Sequence, residues 1–255
     1  MAERRRGLAI DDAAWSSRWR NRSLVDKAVL SLGLVLAALW LPAWPGSVLV
    51  GASAVVLALR GAGTPPGLLL RALRAPLVFI AVGSTSVAVI VTAEPRWSIS
   101  VTSASLAGAA EVAGRSVAGT LAVLILALST PMVDILGGLR RLRVPAACIE
   151  VASLMYRLLF LLLDTTRTMR ESQRARLGYS SAGRSLRSAG SLTAAVLTRA
   201  WDRARRLEQG LAGRGHSTSL TTLDIPPSSS PAFLATTLVG LGTLAATSLL
   251  IRNVG

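Results

Sequence analysis

The stretch LVDKAVLSLGLVLAALWLPAW, residues 24–44, decides the fold. Beyond Lys27 it is apolar for about the hydrocarbon thickness of a bilayer, provided that Lys27 reaches back toward the headgroups. Such a run predicts a membrane span. The uncharged turn after it, with Pro42, Pro45 and Gly46, breaks the helix and predicts a hairpin into a second span over 47–59, just before Arg60. Further apolar runs at 76–93, 116–130 and 232–251 predict three more. The run at 116–130 is short for a bilayer unless Val112 and Ala113 extend it, and Pro131 ends it. The prolines of IPPSSSP, residues 225–231, forbid a continuous helix from the preceding region into the last span.

These runs predict an all-α, polytopic integral membrane protein with about five transmembrane helices and a cytoplasmic arm of long helices. Its expected parts are a cytoplasmic tail over 1–23, a four-span membrane domain over 24–130, an arm over 131–231 and a last transmembrane helix over 232–255. A composition that is 51% hydrophobic but only 4% aromatic departs from that of a soluble domain and favours lipid as the solvent.

The net charge of +15 rests on arginine, since Lys27 is the sole lysine. With the N terminus inside, the tail with Arg18, Arg20 and Arg22, the loop with Arg60, Arg71 and Arg74, and the whole arm face the cytoplasm. Only Arg96, Arg115 and Arg252 then fall outside, as the bias of positive charge toward cytoplasmic loops requires. The stretch 1–22 lacks an apolar run beside its first charges and does not read as a cleavable signal. The arginines also lack the interleaved aromatics of a nucleic-acid surface, so no nucleic-acid partner is expected.

Chemistry within the chain is limited by what it lacks. One cysteine, Cys148, cannot form an internal disulfide and reads as a small apolar filler. With one histidine, His216, it cannot supply a protein-only zinc site, so no metal or other cofactor is expected. Lys27 follows Asp26, not glycine, so there is no P-loop. An integral membrane enzyme, the main rival reading, would need a convergent polar constellation that the sequence does not display. Asp134 and Asp164 read as helix-end or ion-pair acids.

Function is therefore sought in the arm. Residues 151–163 are apolar but contain Arg157 and are too short to span, which predicts a helix packed on protein or lying near the membrane face. Glu150, Arg157, Asp164 and Glu171 recur every seven residues along one stripe. Neighbours on it lie two turns apart, so pairing with a second helix or a partner chain is expected. The helix continues through RTMRESQRARLGY, with Arg174 and Arg176 in its last turn and Gly178 as its stop. A second helix is predicted from about 184 to 212, with Leu192, Val196, Ala200, Ala204, Leu207 and Leu211 as its packing stripe. Each helix ends in an arginine beside glycine, Arg176 in ARLG and Arg214 in AGRG. Arginine suits any helix C terminus, and the repetition also fits two matched docking tips.

Four segments, RNRSLVDK (20–27), ALSTPMVDILGGLRRLRVP (127–145), LMYRLLFLLLDTTRTMRESQRARLGY (154–179) and RARRLEQGLAGRGH (203–216), resemble the transmembrane T component of energy-coupling factor transporters, in its cobalt-type branch. The resemblance implies two alanine-arginine-glycine motifs at the tips of coupling helices, each inserting its arginine into one of two ATP-binding-cassette ATPase subunits. Ala175, Arg176 and Gly178 occupy the first motif, with Leu177 inserted, and Gly213, Arg214 and Gly215 the second, with glycine where alanine is usual. It further implies that ATP-driven movement of the ATPases tips a separate substrate-binding S component in the cell's inner membrane, with lipid around both. Cobalt ion is the expected substrate, recognised by that partner, and a T component for nickel or a vitamin is the alternative. His216 then reads as a docking-surface residue.

Overall fold

A computed structural model of the chain describes residues 9–92, 98–213 and 229–254. Among these it is helical apart from one short antiparallel ribbon, β1 (Ile90–Thr92) with β2 (Ser98–Ser100). The chain divides into two compact units, the first from 1–138 with 225–255 and the second from 139–224.

Unit 1 holds α1 (Ala9–Ser16), α2 (Leu24–Trp40), α3 (Ala43–Val56), α4 (Pro66–Ala88), α5 (Ser103–Ser129), α6 (Met132–Leu139) and α9 (Pro231–Val254), α6 reaching one residue past the boundary. Local chemistry starts these helices. The Ser23 hydroxyl accepts the Val25 N–H at 3.2 Å and caps α2, Pro66 occupies the first turn of α4, and Thr102 with Ser105 forms a capping box at α5. A π-helical turn, Leu57–Gly61, extends α3. The core joins Leu34 and Ala38 of α2, Val50 and Ala54 of α3, and Ala118, Ala122, Ile125 and Leu128 of α5. Small residues at these positions let the helix backbones approach closely, as packing within a bilayer demands.

Large apolar side chains point the other way. Leu36, Leu39, Val48, Phe79, Val82, Leu238, Val239 and Leu250 are all exposed. A surface so apolar suits lipid, not water. Five helical stretches are long and apolar enough to cross a membrane: Ala43–Gly61, Pro66–Ala88, Ser103–Ser129, Ala146–Ala175 and Pro231–Arg252. At 17 residues α2 reaches the lower end of the spanning range. The protein is an all-α, multi-pass membrane protein.

Several sequence expectations move. The helix that holds the third expected span starts at Pro66, ten residues before the apolar run, and accommodates Pro76 inside it. The fourth lies within a continuous 27-residue helix that begins at Ser103, well before the apolar run at 116–130, with Arg115 paired to Glu111 at 2.9 Å one turn away. Lys27 does not reach for the headgroups but is fully buried. The stretch set aside as too short, 151–163, lies within a 30-residue helix that qualifies as a span by length and composition.

Unit 2 opens with a 3-10 turn, Arg140–Leu142, closed by Arg143 at φ 58°. Two long helices follow, α7 (Ala146–Ala175) and α8 (Ala182–Ala212), joined by six residues. Both run where the sequence places arm helices. Ile149 is the one buried residue described in α7, and α8 has none. Cys148, expected as a buried filler, is exposed, because the first turn of α7 leaves most of its surface open.

Candidate functional site

The join between α7 and α8 is built from main-chain and side-chain hydrogen bonds. At the end of α7 the Leu177 N–H donates to the Arg174 carbonyl at 3.0 Å and the Gly178 N–H to the Gln173 carbonyl at 2.9 Å. This pair of bonds is the Schellman cap, which satisfies otherwise orphaned carbonyls. Its left-handed position falls on Leu177, at φ 58°, and not on Gly178 as the sequence suggests. Glycine is needed at 178 for a different reason. A Cβ there would lie 2.6 Å from Ser188 Oγ and 2.9 Å from the Gln173 carbonyl oxygen, so a side chain would crowd the α7 cap and displace the Ser188 hydroxyl.

Gln173 ties the elbow together. Its amide donates to the Ser188 carbonyl at 3.1 Å and to Ser191 Oγ at 3.0 Å, and its Oε1 accepts the Tyr179 hydroxyl at 2.8 Å. Ser188 Oγ donates back to the Gly178 carbonyl at 2.8 Å. Arg170 lies over the Tyr179 ring, 5.8 Å from its centroid. On the α8 side Ser181 caps the helix by accepting the Arg184 N–H, and Arg184 reaches Ser180 Oγ at 3.1 Å. The sequence reading missed Gln173, Tyr179, Ser188 and Ser191. The available signal was a glutamine one turn before a helix stop, facing serines spaced three apart at the start of the next helix.

Outside this fixed elbow stand Ala175, Arg176 and Leu177, all exposed. Among the described residues no ion pair holds the Arg176 guanidinium. The backbone beneath it is held by the cap's hydrogen bonds while the guanidinium is exposed, and Arg170, Arg174 and Arg184 add to a positive tip. Such a tip suits a carboxylate- or carbonyl-rich groove, where a planar fork binds in two places at once.

The second expected motif is only partly seen. Gly213 ends α8, its N–H donating to the Gln209 carbonyl at 3.0 Å in ordinary helical conformation. Arg214 and Gly215, with His216, lie outside the described residues.

Of the polar stripe on α7, Glu150 is half-buried and Arg157, Asp164 and Glu171 are exposed. Asp164 meets Arg167 at 3.4 Å on its own helix, since a residue three positions on lies nearer than any second helix. The predicted stripe of α8 is half-buried at Leu192, Val196, Ala200, Leu207 and Leu211 and exposed at Ala204. Beside it Leu186, Leu197 and Trp201 stand open, and on α7 Val151, Met155 and Leu159 form a further open apolar row. Among the described residues no cluster of histidine, cysteine and acids is placed to hold a metal ion.

A family model described as CbiQ, cobalt transport protein, matches residues 16–223, a range that includes the elbow. The chain is 37% identical over 243 residues to the cobalt transport protein CbiQ of Rhodobacter capsulatus, which covers 95% of this chain and 98% of that protein. It is 27% identical over 209 residues to CbiQ of Salmonella typhimurium, with 74% of this chain and 88% of that one covered. A putative fused cobalt transport protein CbiMQ of Methanocorpusculum labreanum is 26% identical over 208 residues, 76% of this chain and 34% of that longer one.

Proposed function

The chain belongs to the CbiQ cobalt transport protein family, the cobalt-type T components its sequence resembles, and from that premise we propose that it is the coupling subunit of an ATP-driven cobalt importer. It transmits conformational change from two ATP-binding-cassette ATPases to a separate substrate-binding membrane subunit. The N terminus and the α7–α8 elbow lie on the cytoplasmic side of the cell's inner membrane.

The observation that carries this reading is the elbow, where a free arginine is presented on a turn fixed by Gln173, Tyr179 and Ser188 between two long helices. The open apolar residues of α7 and α8 agree with it, since helices that bury so little of their own surface are covered by something else. A motor must be separate, because the sole lysine does not stand in a phosphate-binding loop. A membrane partner is supported by the relative whose name joins CbiM and CbiQ in one chain. The family's description favours cobalt over nickel or a vitamin.

The test is cobalt uptake by cells that co-express the partner subunits. Arg176→Ala combined with Arg214→Ala should lower uptake to background while the chain still inserts and accumulates. Normal uptake by the double variant would refute the proposal.

A further inference from the structure

Unit 1 buries two charged side chains completely, Asp26 and Lys27 in the first turn of α2, far in sequence from either docking motif. Charges are seldom buried for stability alone, because desolvation offsets much of what their pairing returns. Their partners show what they hold.

Lys27 Nζ donates to the carbonyl of Ser129, the last residue of α5, at 3.0 Å. Arg20 Nη1 meets Asp134 Oδ2 of α6 at 2.7 Å. Gly138, near the end of α6, packs so closely on Leu24 that a Cβ there would collide with the leucine side chain. Residues 20–27 thus grip the outgoing chain along 129–138, and unit 2 begins at Leu139. The returning chain is gripped by the same segment. Asp26 Oδ2 accepts the Ser230 N–H at 3.0 Å, just before α9. Trp19 meets the Phe233 ring edge-on at 5.8 Å, and Arg22 lies over that ring at 4.9 Å.

The outgoing chain at 129–138 and the head of α9 at Ser230 and Phe233 are therefore both fastened, within unit 1, to one short segment at the head of α2. Among the described residues Asp26 Oδ1 is buried with no hydrogen-bond partner, a cost that a purely stabilising contact would have shed by becoming apolar. We propose that residues 19–27 form a clasp that carries displacement of unit 2 into the membrane helices, with Arg20, Asp26 and Lys27 as positioning residues for transport. This rests on the coupling reading above. A hinge at either root of unit 2 would let its movement dissipate in the backbone, whereas a charged grip on both roots makes α2 move with them.

The experiment uses the assembled transporter with its ATPase subunits. Arg20→Asp and Asp26→Asn should leave the ATPases bound and hydrolysing ATP while cobalt uptake falls at least tenfold. Arg20→Lys, which keeps a cation opposite Asp134, should retain at least half of the uptake. Wild-type uptake in both Arg20→Asp and Asp26→Asn would overturn the clasp. If Arg20→Asp fails to accumulate, Arg20→Gln decides: normal accumulation with uptake lost supports the clasp, and normal uptake overturns it. A second readout needs no ATPase. In the purified full chain, Asp26→Asn should speed amide hydrogen exchange at 229–234 and also at 129–134, as expected of one grip on two segments. Acceleration at 229–234 alone would sink the clasp, whereas failure of the ATPases to bind the wild-type chain would sink the coupling reading and leave the exchange result standing.

Discussion

Ala54 and Ala122 of unit 1 are wholly buried between helices, while Ala204 and Trp201 on α8 of unit 2 stand exposed on a helix with no buried residue described. The first unit has a core of its own, sheltered between helices whose outer faces are apolar. The second consists of two helices and an elbow, and its order comes from caps and side-chain hydrogen bonds more than from burial. One region is built to hold its shape in lipid, the other to present a surface. On the proposed coupling role, the contrast suits a lever, with an anchor that resists deformation and an arm whose free energy is completed by what it touches.

The comparison is broken most severely by overfilling the core. Ala122→Leu forces extra methylenes into a site at 0% exposure and should destabilise unit 1 by about 1–3 kcal/mol. Ala204→Leu, the same change on α8, should fall within about 0.5 kcal/mol of neutral. Thermal unfolding of the two variants in detergent checks the pair, and equal losses would mean that unit 2 has a hidden core after all.

A smaller effect is expected at the elbow. Gln173→Ala removes both amide donors and the acceptor of the Tyr179 hydroxyl, which should cost roughly 1–2 kcal/mol locally. Hydrogen exchange over 177–191 should accelerate while unit 1 keeps its protection. Uptake should fall with it, because Arg176 would no longer be held in one orientation.

The smallest change sharpens the comparison from the stable side. Leu177 sits at φ 58°, where a side chain is strained, so Leu177→Gly should slow exchange at the elbow, a gain of about 0.5 kcal/mol after the flexibility of glycine is set against the relief. Faster exchange would show that the leucine side chain itself contributes to the turn.

Much of this was legible in the sequence, and the rest failed for identifiable reasons. Apolar runs pointed to four of the five helices long and apolar enough to cross a membrane, without their ends, and passed over α7. Residues 103–115 are rich in Ala, Gly and Ser, which gives hydropathy no marked apolar run, yet helix packing in a bilayer uses such residues freely at interfaces. Pro76 was read as a boundary although membrane helices absorb proline. The arm helices emerged from periodicity, with α8 placed within two residues of its start. The elbow's glycine was found and its role misread, since φ is invisible in sequence and Gly178 answers to Ser188, ten residues on. Lys27 was misread for a similar reason: its partner is the Ser129 carbonyl, a main-chain group with no residue signature.

The central claim is that the elbow around Arg176 meets a separate ATPase. A photo-crosslinking amino acid placed at position 177, which is exposed beside the arginine, tests it in native membranes with the whole transporter expressed. The account predicts an adduct between this chain and an ATP-binding subunit, abolished by Arg176→Ala. An adduct with lipid alone, formed while the transporter still imports cobalt, would contradict it.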